Sequence, residues 1–291
     1  MNDAFSKCHP LINFAFFAGA IAAAAVISHP LYLLLGLLSG ASYYLLLNGR
    51  KAWSLILRLV PLFIFVTAIN PLLNTQGETS LFQIFGRPYT LEALCYGAAA
   101  ATIFILMLLW FGCCSKVLTG DKFTCLFGHM IPAISLVLLM VFRMVPNILR
   151  KAGQVTGARK SIGKAAGENA LIKEKLKDTA IVLASLTSWA FEGGIVAADS
   201  MRSRGYGVSK RSSFMIYRMG KLDWSLLFML PVLLILIIIA AGTGQMQASF
   251  TPKLYISPVS WGIIPYAVYF FIPTVLHIEE AILWNISRYR I

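Results

Sequence analysis

Charge is scarce in this chain, and acid scarcest of all. Of 291 residues only 12 are Asp or Glu, and charged residues of both signs make up 13%, about half of what a soluble domain carries. That shortage excludes an ordinary water-exposed surface. No stretch of the form GxxxxGK[ST] occurs, so the chain lacks the phosphate loop of an ATPase. Histidine is limited to His9, His29, His129 and His277, far apart in sequence. The acids Glu168, Glu174, Asp178, Glu192 and Asp199 are scattered, and no close aspartate pair holds a place for Mg²⁺. No base-and-nucleophile constellation is visible either. A lipid-modifying membrane enzyme is therefore a weak alternative, and the chain is expected to be non-catalytic. The five cysteines, Cys8, Cys95, Cys113, Cys114 and Cys125, are odd in number and sit in apolar surroundings, which argues against a disulfide framework. Cys113, Cys114, Cys125 and His129 match no common metal-ligand spacing, so packing is their ordinary role and no metal is expected.

What the chain has in abundance is apolar sequence. Hydrophobic residues reach 58% and the mean hydropathy is +0.75. About 20 apolar residues cross a bilayer core, and apolar segments recur at 12–28, 30–47, 53–69, 90–112, 125–145, 224–242 and 258–276. The expected fold class is all-α: a polytopic helical membrane protein with about six spans. The first segment reads as a span and not as a removed signal peptide, because no small-residue cleavage site stands out. The tail from His277 to Ile291 reads as a short amphipathic helix at the interface.

The formal net charge is +13, unevenly placed. Between Arg143 and Lys221 lie 15 Lys or Arg and 5 Asp or Glu, a balance of +10. Basic loops stay on the cytoplasmic side. "NGRK" at 48–51 and the loop around Lys116 and Lys122 should face inward. The loop from Asn70 to Tyr89, polar but little charged, should face outward. A full span at 125–145 would then carry the large basic segment outside. That conflict predicts a long helix running from the membrane into the cytoplasm through "FRMVPNILRKAG". Three regions follow: N-terminal membrane helices at 1–124, a cytoplasmic region of long helices at 125–222, and C-terminal membrane helices with the tail at 223–291. Both termini should be cytoplasmic. No nucleic-acid motif accompanies the charge, so the partners expected are the lipid bilayer and protein.

Within the basic region, "NALIKEKLKDTAIVLASLTSWAFEGGIVAADSMRSRG" reads as helix. Small residues stand four apart at Ala180 and Ala184, Gly193 and Ala197, and Gly194 and Ala198, a spacing that permits close helix packing. Met201 to Arg204 form a last turn whose cations suit the helix dipole, and Gly205 suits a left-handed cap. An exposed charged helix end is the ordinary reading of Arg202 and Arg204. An echo weighs against it: "AGQVTGARKSIG" at 152–163 also ends a helix, with an alanine–arginine step at Ala158-Arg159 and a glycine at Gly163. The arginine fork fits a carboxylate bidentately. Two such tips suit two equivalent acidic grooves on a dimeric partner. Arg202, two residues back from Arg204, points about 200° away and should matter less.

In these stretches the sequence resembles the transmembrane T component of energy-coupling-factor transporters, a branch of ABC importers. Members carry two cytoplasmic coupling helices, each ending in an Xaa-Arg-Xaa signature. Ser203-Arg204-Gly205 resembles the second signature and Ala158-Arg159-Lys160 the first, with Lys160 where glycine or serine is common. "HPL" at 9–11, "NPLLN" at 70–74 and "PAISLVLLMVFRMVP" are similar to other family segments. The resemblance implies a multi-pass permease of a prokaryotic plasma membrane. Its partners would be two cytoplasmic ABC ATPase subunits, which bind ATP and Mg, and a membrane S component that captures a vitamin or a transition-metal ion. No cofactor is implied in this chain. Closure of the ATPases would move the coupling helices, whose tips are the six residues of the two signatures. The competing class is a stand-alone secondary transporter, for which ionisable residues inside spans are diagnostic. Arg58 and Glu92 are the clear candidates in the first four segments, and both lie near enough to an end to snorkel.

Overall fold

The computed structural model describes residues 4–74, 79–84, 87–128, 132–167, 171–208, 217, 219–244, 246–250, 255–258 and 260–288. Two compact units emerge, one made of Met1–Thr119 with Tyr217–Ile291 and the other of Gly120–Ile216. The N-terminal 119 residues and the C-terminal 75 thus build one body.

In the first unit the helices are α1 (Ala4–Lys7), α2 (Pro10–Val26), α3 (Pro30–Asn48), α4 (Lys51–Leu73), α5 (Leu91–Val117), α9 (Lys221–Gly242) and α10 (Ile263–Arg288). The second unit holds α6 (Gly120–Gly128), α7 (Pro132–Ser161) and α8 (Ile172–Ser203). Two short antiparallel pairs accompany the first unit: β1 (Ser80–Ile84) with β2 (Arg87–Thr90), and β3 (Ala248–Ser249) with β4 (Tyr255–Ile256). The all-α expectation holds for the architecture. The strands are small additions, and the first pair lies in the 70–89 loop, where only polarity had been legible.

Among the described residues six helices are long and apolar enough to cross a membrane: α3, α4, α5, α8, α9 and Ile263–Trp284 of α10. The count of six agrees with the sequence reading, but the membership differs. Helix α2 is apolar but, with 17 residues, shorter than those six, at the lower end of the roughly 17–25 that cross a bilayer core. Helix α8 qualifies by length and composition, although its position in the sequence led to a cytoplasmic assignment. Within the segment 125–145 the described residues belong to α6, up to Gly128, and to α7, from Pro132. The tail also departs from expectation. Helix α10 runs unbroken from Ile263 to Arg288, because nothing between Leu276 and Trp284 stops a helix. The sequence there, "LHIEEAILW", holds neither glycine nor proline.

Helices α2 and α3 begin alike. Each is preceded by His-Pro, with the histidine as N-cap and proline in the first turn. Proline loses nothing there, since that N–H has no partner inside the helix. His9 accepts from the Leu11 N–H and His29 from the Leu31 N–H, both through Nδ1 at 3.3 Å. For His29 this fixes the tautomer. Nδ1 is an acceptor, so Nε2 carries the proton and donates to the Ser257 carbonyl at 2.9 Å. The junction between α2 and α3 is thereby tied to the β3–β4 pair, and Ser28 Oγ also accepts from the Ala248 N–H at 3.1 Å.

The core of this unit is aromatic. Phe16 of α2 stacks on Tyr269 of α10 at 5.1 Å and meets Trp110 of α5 edge-on at 5.5 Å. Tyr32 meets Tyr266 edge-on at 5.3 Å. The Tyr269 hydroxyl donates to the Phe16 carbonyl at 2.9 Å, and Ser39 Oγ donates to the Phe270 carbonyl at 2.6 Å. Helix α4 packs mainly on α5, and its only buried residues are Ala52 and Pro71. Lys7 of α1 pairs with Glu280 of α10.

Candidate functional site

The six residues of the two arginine signatures fall at the ends of α7 and α8, both in the second unit. Each helix closes with the same hydrogen-bonded turn. For α8, the Gly205 N–H reaches the Arg202 carbonyl at 3.0 Å and the Tyr206 N–H reaches the Met201 carbonyl at 3.1 Å. For α7, the Gly163 N–H reaches Lys160 at 3.1 Å and the Lys164 N–H reaches Arg159 at 3.0 Å. This paired pattern is a Schellman cap, which demands a left-handed residue after the helix. Gly163 at φ +68° and Gly205 at φ +74° supply it. The serine before each cap turns its hydroxyl back on its own helix: Ser161 to Gly157 at 3.1 Å and Ser203 to Ser200 at 3.0 Å.

Aligning the caps sets a register that the sequence did not. Gly163 corresponds to Gly205, Ser161 to Ser203, and Lys160 to Arg202. Arg159 then corresponds to Met201, and Arg204 to Ile162. The two signatures therefore stand at different heights on otherwise matching helix ends. Arg204 sits at the cap itself, whereas Arg159 lies one turn inside. The cation at the matching position of both ends is Lys160 or Arg202; Lys160 belongs to the first signature, whereas Arg202 is the one expected to matter less.

The two arginines also differ in environment. Arg204 is exposed and makes no ion pair or side-chain hydrogen bond among the described residues. Ser203 and Gly205 beside it are exposed as well. Arg159 is engaged within the chain. Its Nε donates to Asp178 Oδ1 at 2.8 Å, and its Nη2 donates to the same oxygen and to the Lys164 carbonyl at 3.0 Å. Asp178 Oδ2 accepts from the Ala166 N–H at 3.1 Å. Both side chains are 18% exposed. Asp178 stands in the charged first turns of α8, before its apolar stretch. The Ala166 N–H and then the Arg159 guanidinium hold its carboxyl below the usual carboxylate range. Ala158 and Lys160 flank this pair and are exposed.

The contacts run antiparallel. Arg159 meets Asp178 near the start of α8, and further back Lys151 of α7 lies over the Trp189 ring at 5.9 Å. From Asp178 the helix continues for about 26 residues to Arg204, roughly 39 Å at 1.5 Å per residue. The two tips thus stand at opposite ends of α8. Along it, the close packing expected of the small residues is absent at two of them: a Cβ added at Gly193 or Gly194 meets nothing within 4 Å among the described residues.

Of the two ionisable candidates inside spans, Glu92 has a local structural role. Glu92, buried in the first turn of α5, accepts from the Thr79 N–H and, at 2.6 Å, from the Thr79 hydroxyl. Arg58 is exposed on α4. Asp223 caps α9, accepting from the Gly220 N–H at 2.9 Å, and also takes the His9 N–H at 3.0 Å. The cysteines are free thiols, and burial pushes the Cys125 thiol up. Among the described residues no three His, Cys, Asp or Glu converge to hold a metal ion. His129 lies outside those residues. No protein-family model matches this chain, and no curated protein matches it.

Proposed function

We propose that this chain is the transmembrane coupling subunit of an energy-coupling-factor importer of the ABC class. It passes the motion of two cytoplasmic ATPase subunits to a separate membrane component that captures a vitamin or a transition-metal ion. One observation carries the reading. Two long helices of one unit end in matching glycine caps, each with an exposed cation, and the two caps are held far apart by α8. A dimer of ATPases offers two sockets, and this geometry offers two plugs. The missing phosphate loop agrees, since the chain would draw its energy from partners.

The test is purification of the tagged chain from its native membrane. Two ABC ATPase subunits and a small membrane protein should come with it. The Arg159→Ala, Arg204→Ala double variant should lose most of the ATPase and the uptake, because two tips on one dimer act as a bivalent link. Wild-type chain that purifies without any ATPase would overturn the proposal.

A second reading has one observation in its favour. Helix α8 is long and apolar enough to cross a membrane, which fits a stand-alone secondary transporter in which Arg159 and Arg204 face opposite sides. Labelling from outside the cell of cysteines introduced singly at Gly163 and Gly205 separates the two readings, since the second reading exposes one of them and the first exposes neither.

A further inference from the structure

We infer that Asp178 is the positioning residue of the first tip: it is a built-in counter-ion that sets Arg159 and pins the α7–α8 connection before any partner arrives. This rests on the coupling reading for its consequence, but the pair itself stands on geometry. Three of the five guanidinium N–H groups of Arg159 have acceptors inside the chain, two on Asp178 Oδ1 and one on the Lys164 carbonyl. The second carboxylate oxygen holds the Ala166 N–H. One side chain thus gathers the end of α7, the connection at 164–166 and the start of α8.

The two tips are consequently unlike. Arg204 has its whole fork open. Arg159 has only Nη1 left, so it cannot offer a partner the parallel Nη1–Nη2 pair that makes a bidentate contact. Lys160, exposed on the same turn, supplies the free charge there. The first tip is preassembled and offers a point charge, whereas the second offers a fork. An arginine that meets a partner through one remaining nitrogen depends on whatever holds its other edge. Asp178, though it need touch no partner, should therefore control attachment at this tip.

The experiment uses the full chain with cysteines introduced at Lys151 and Trp189 in a background without the native cysteines. A short bismaleimide reads the approach of α7 to α8, and ATPase recovery reads attachment. Asp178→Ala should slow cross-linking about fivefold and lower ATPase recovery, the scale of losing a charged hydrogen bond of a partly exposed pair. Asp178→Glu should keep most of both. The exchanged pair, Arg159→Asp with Asp178→Arg, should restore cross-linking while ATPase recovery stays low, a split that a purely structural pair would not give. Unchanged cross-linking and ATPase recovery in Asp178→Ala would overturn the inference. If the exchanged pair restores both readouts, Asp178 keeps its part as counter-ion, and the partner contact assigned to Arg159 falls. Should no ATPase accompany even the wild-type chain, the coupling reading fails, while cross-linking still decides whether the pair holds the hairpin.

Discussion

Gly19 on α2 faces the hydroxyl of Tyr269, and replacing it with alanine gives a two-sided prediction. A Cβ built there overlaps the Tyr269 oxygen and lies 2.8 Å and 3.1 Å from the two methyls of Leu234. Three terms compete. Alanine in place of a helical glycine gains about 1 kcal/mol. Overpacking a tight core costs about 1–3 kcal/mol. Pushing the tyrosine aside breaks its bond to the Phe16 carbonyl, a further loss of about 1 kcal/mol. The sum is a destabilisation of about 2 kcal/mol for Gly19→Ala. Tyr269→Phe alone should cost only the hydrogen bond, about 1 kcal/mol. With the oxygen gone, the new methyl has room, and the flexible Leu234 side chain absorbs the rest. Gly19→Ala in the Tyr269→Phe background should then be close to neutral. The two changes should therefore couple by about 2 kcal/mol. The assay is thermal unfolding in detergent, read by helical circular dichroism and by the reaction of Cys113, which is fully buried in the native fold. Strict additivity of the two changes would refute the contact. A stabilising Gly19→Ala on its own would show that helix propensity outweighs packing at this site.

Four further outcomes follow from the same geometry. Gly205→Ala should cost about 1–2 kcal/mol at the end of α8, all of it conformational, since the nearest atom to an added Cβ is 4.0 Å away; amide exchange at Tyr206 should rise, and Gly205→Asn should be milder. Because the Asp178 carboxyl is held low in the fold, its contribution is present above the unfolded value and lost as pH falls through the folded one. The protection factor of the Ala166 amide should thus stay flat from neutral pH down to about pH 4 and fall only below it; loss near pH 6 would contradict the pairing. Labelling from outside should reach a cysteine at Gln76 but not at Gly163 or Lys210, as the distribution of basic residues requires; Gln76 and Lys210 lie outside the described residues. His29→Ala should destabilise the first unit by about 1–3 kcal/mol, because it removes the bond to the Ser257 carbonyl and the side-chain acceptor of the Leu31 N–H at once.

The parts of this architecture that could be read in advance were those written in local chemistry. Helix ends at Gly163 and Gly205 follow from glycine's access to positive φ, and the apolar runs follow from composition. The register of the first tip did not follow. Ala158-Arg159-Lys160 looks like a helix terminus only beside Ser203-Arg204-Gly205, and the cap that decides lies four residues past Arg159. The Arg159–Asp178 pair was also hidden, because the turn between α7 and α8 sets which of Glu174 and Asp178 faces the arginine. A weak signal is present: Asp178 directly follows Lys173, Lys175 and Lys177, with Glu174 the one other acid in that stretch. The charged ends of helix α8 point to the cytoplasm, while its apolar middle reaches 1.5 in mean hydropathy. The unbroken α10 was missed because a change in polarity was taken for a change in structure.

The paired glycines in α8 bear on stiffness. As a beam from Asp178 to Arg204, the helix has no proline within it, and at its two glycines, 193 and 194, an added Cβ would meet nothing within 4 Å among the described residues. Glycine pairs are among the few places where helices bend sharply. The pair stands about 22 Å from the Asp178 end and about 16 Å from the Arg204 end at 1.5 Å per residue. A sideways displacement of several ångströms at the far tip can therefore be taken up by flexure at this point, before it reaches the clamped end. Torsion and compression along the axis have no such relief, since both load the backbone hydrogen-bond ladder directly. Helix α8 should thus be compliant to sideways load at its Arg204 end and stiff to axial push.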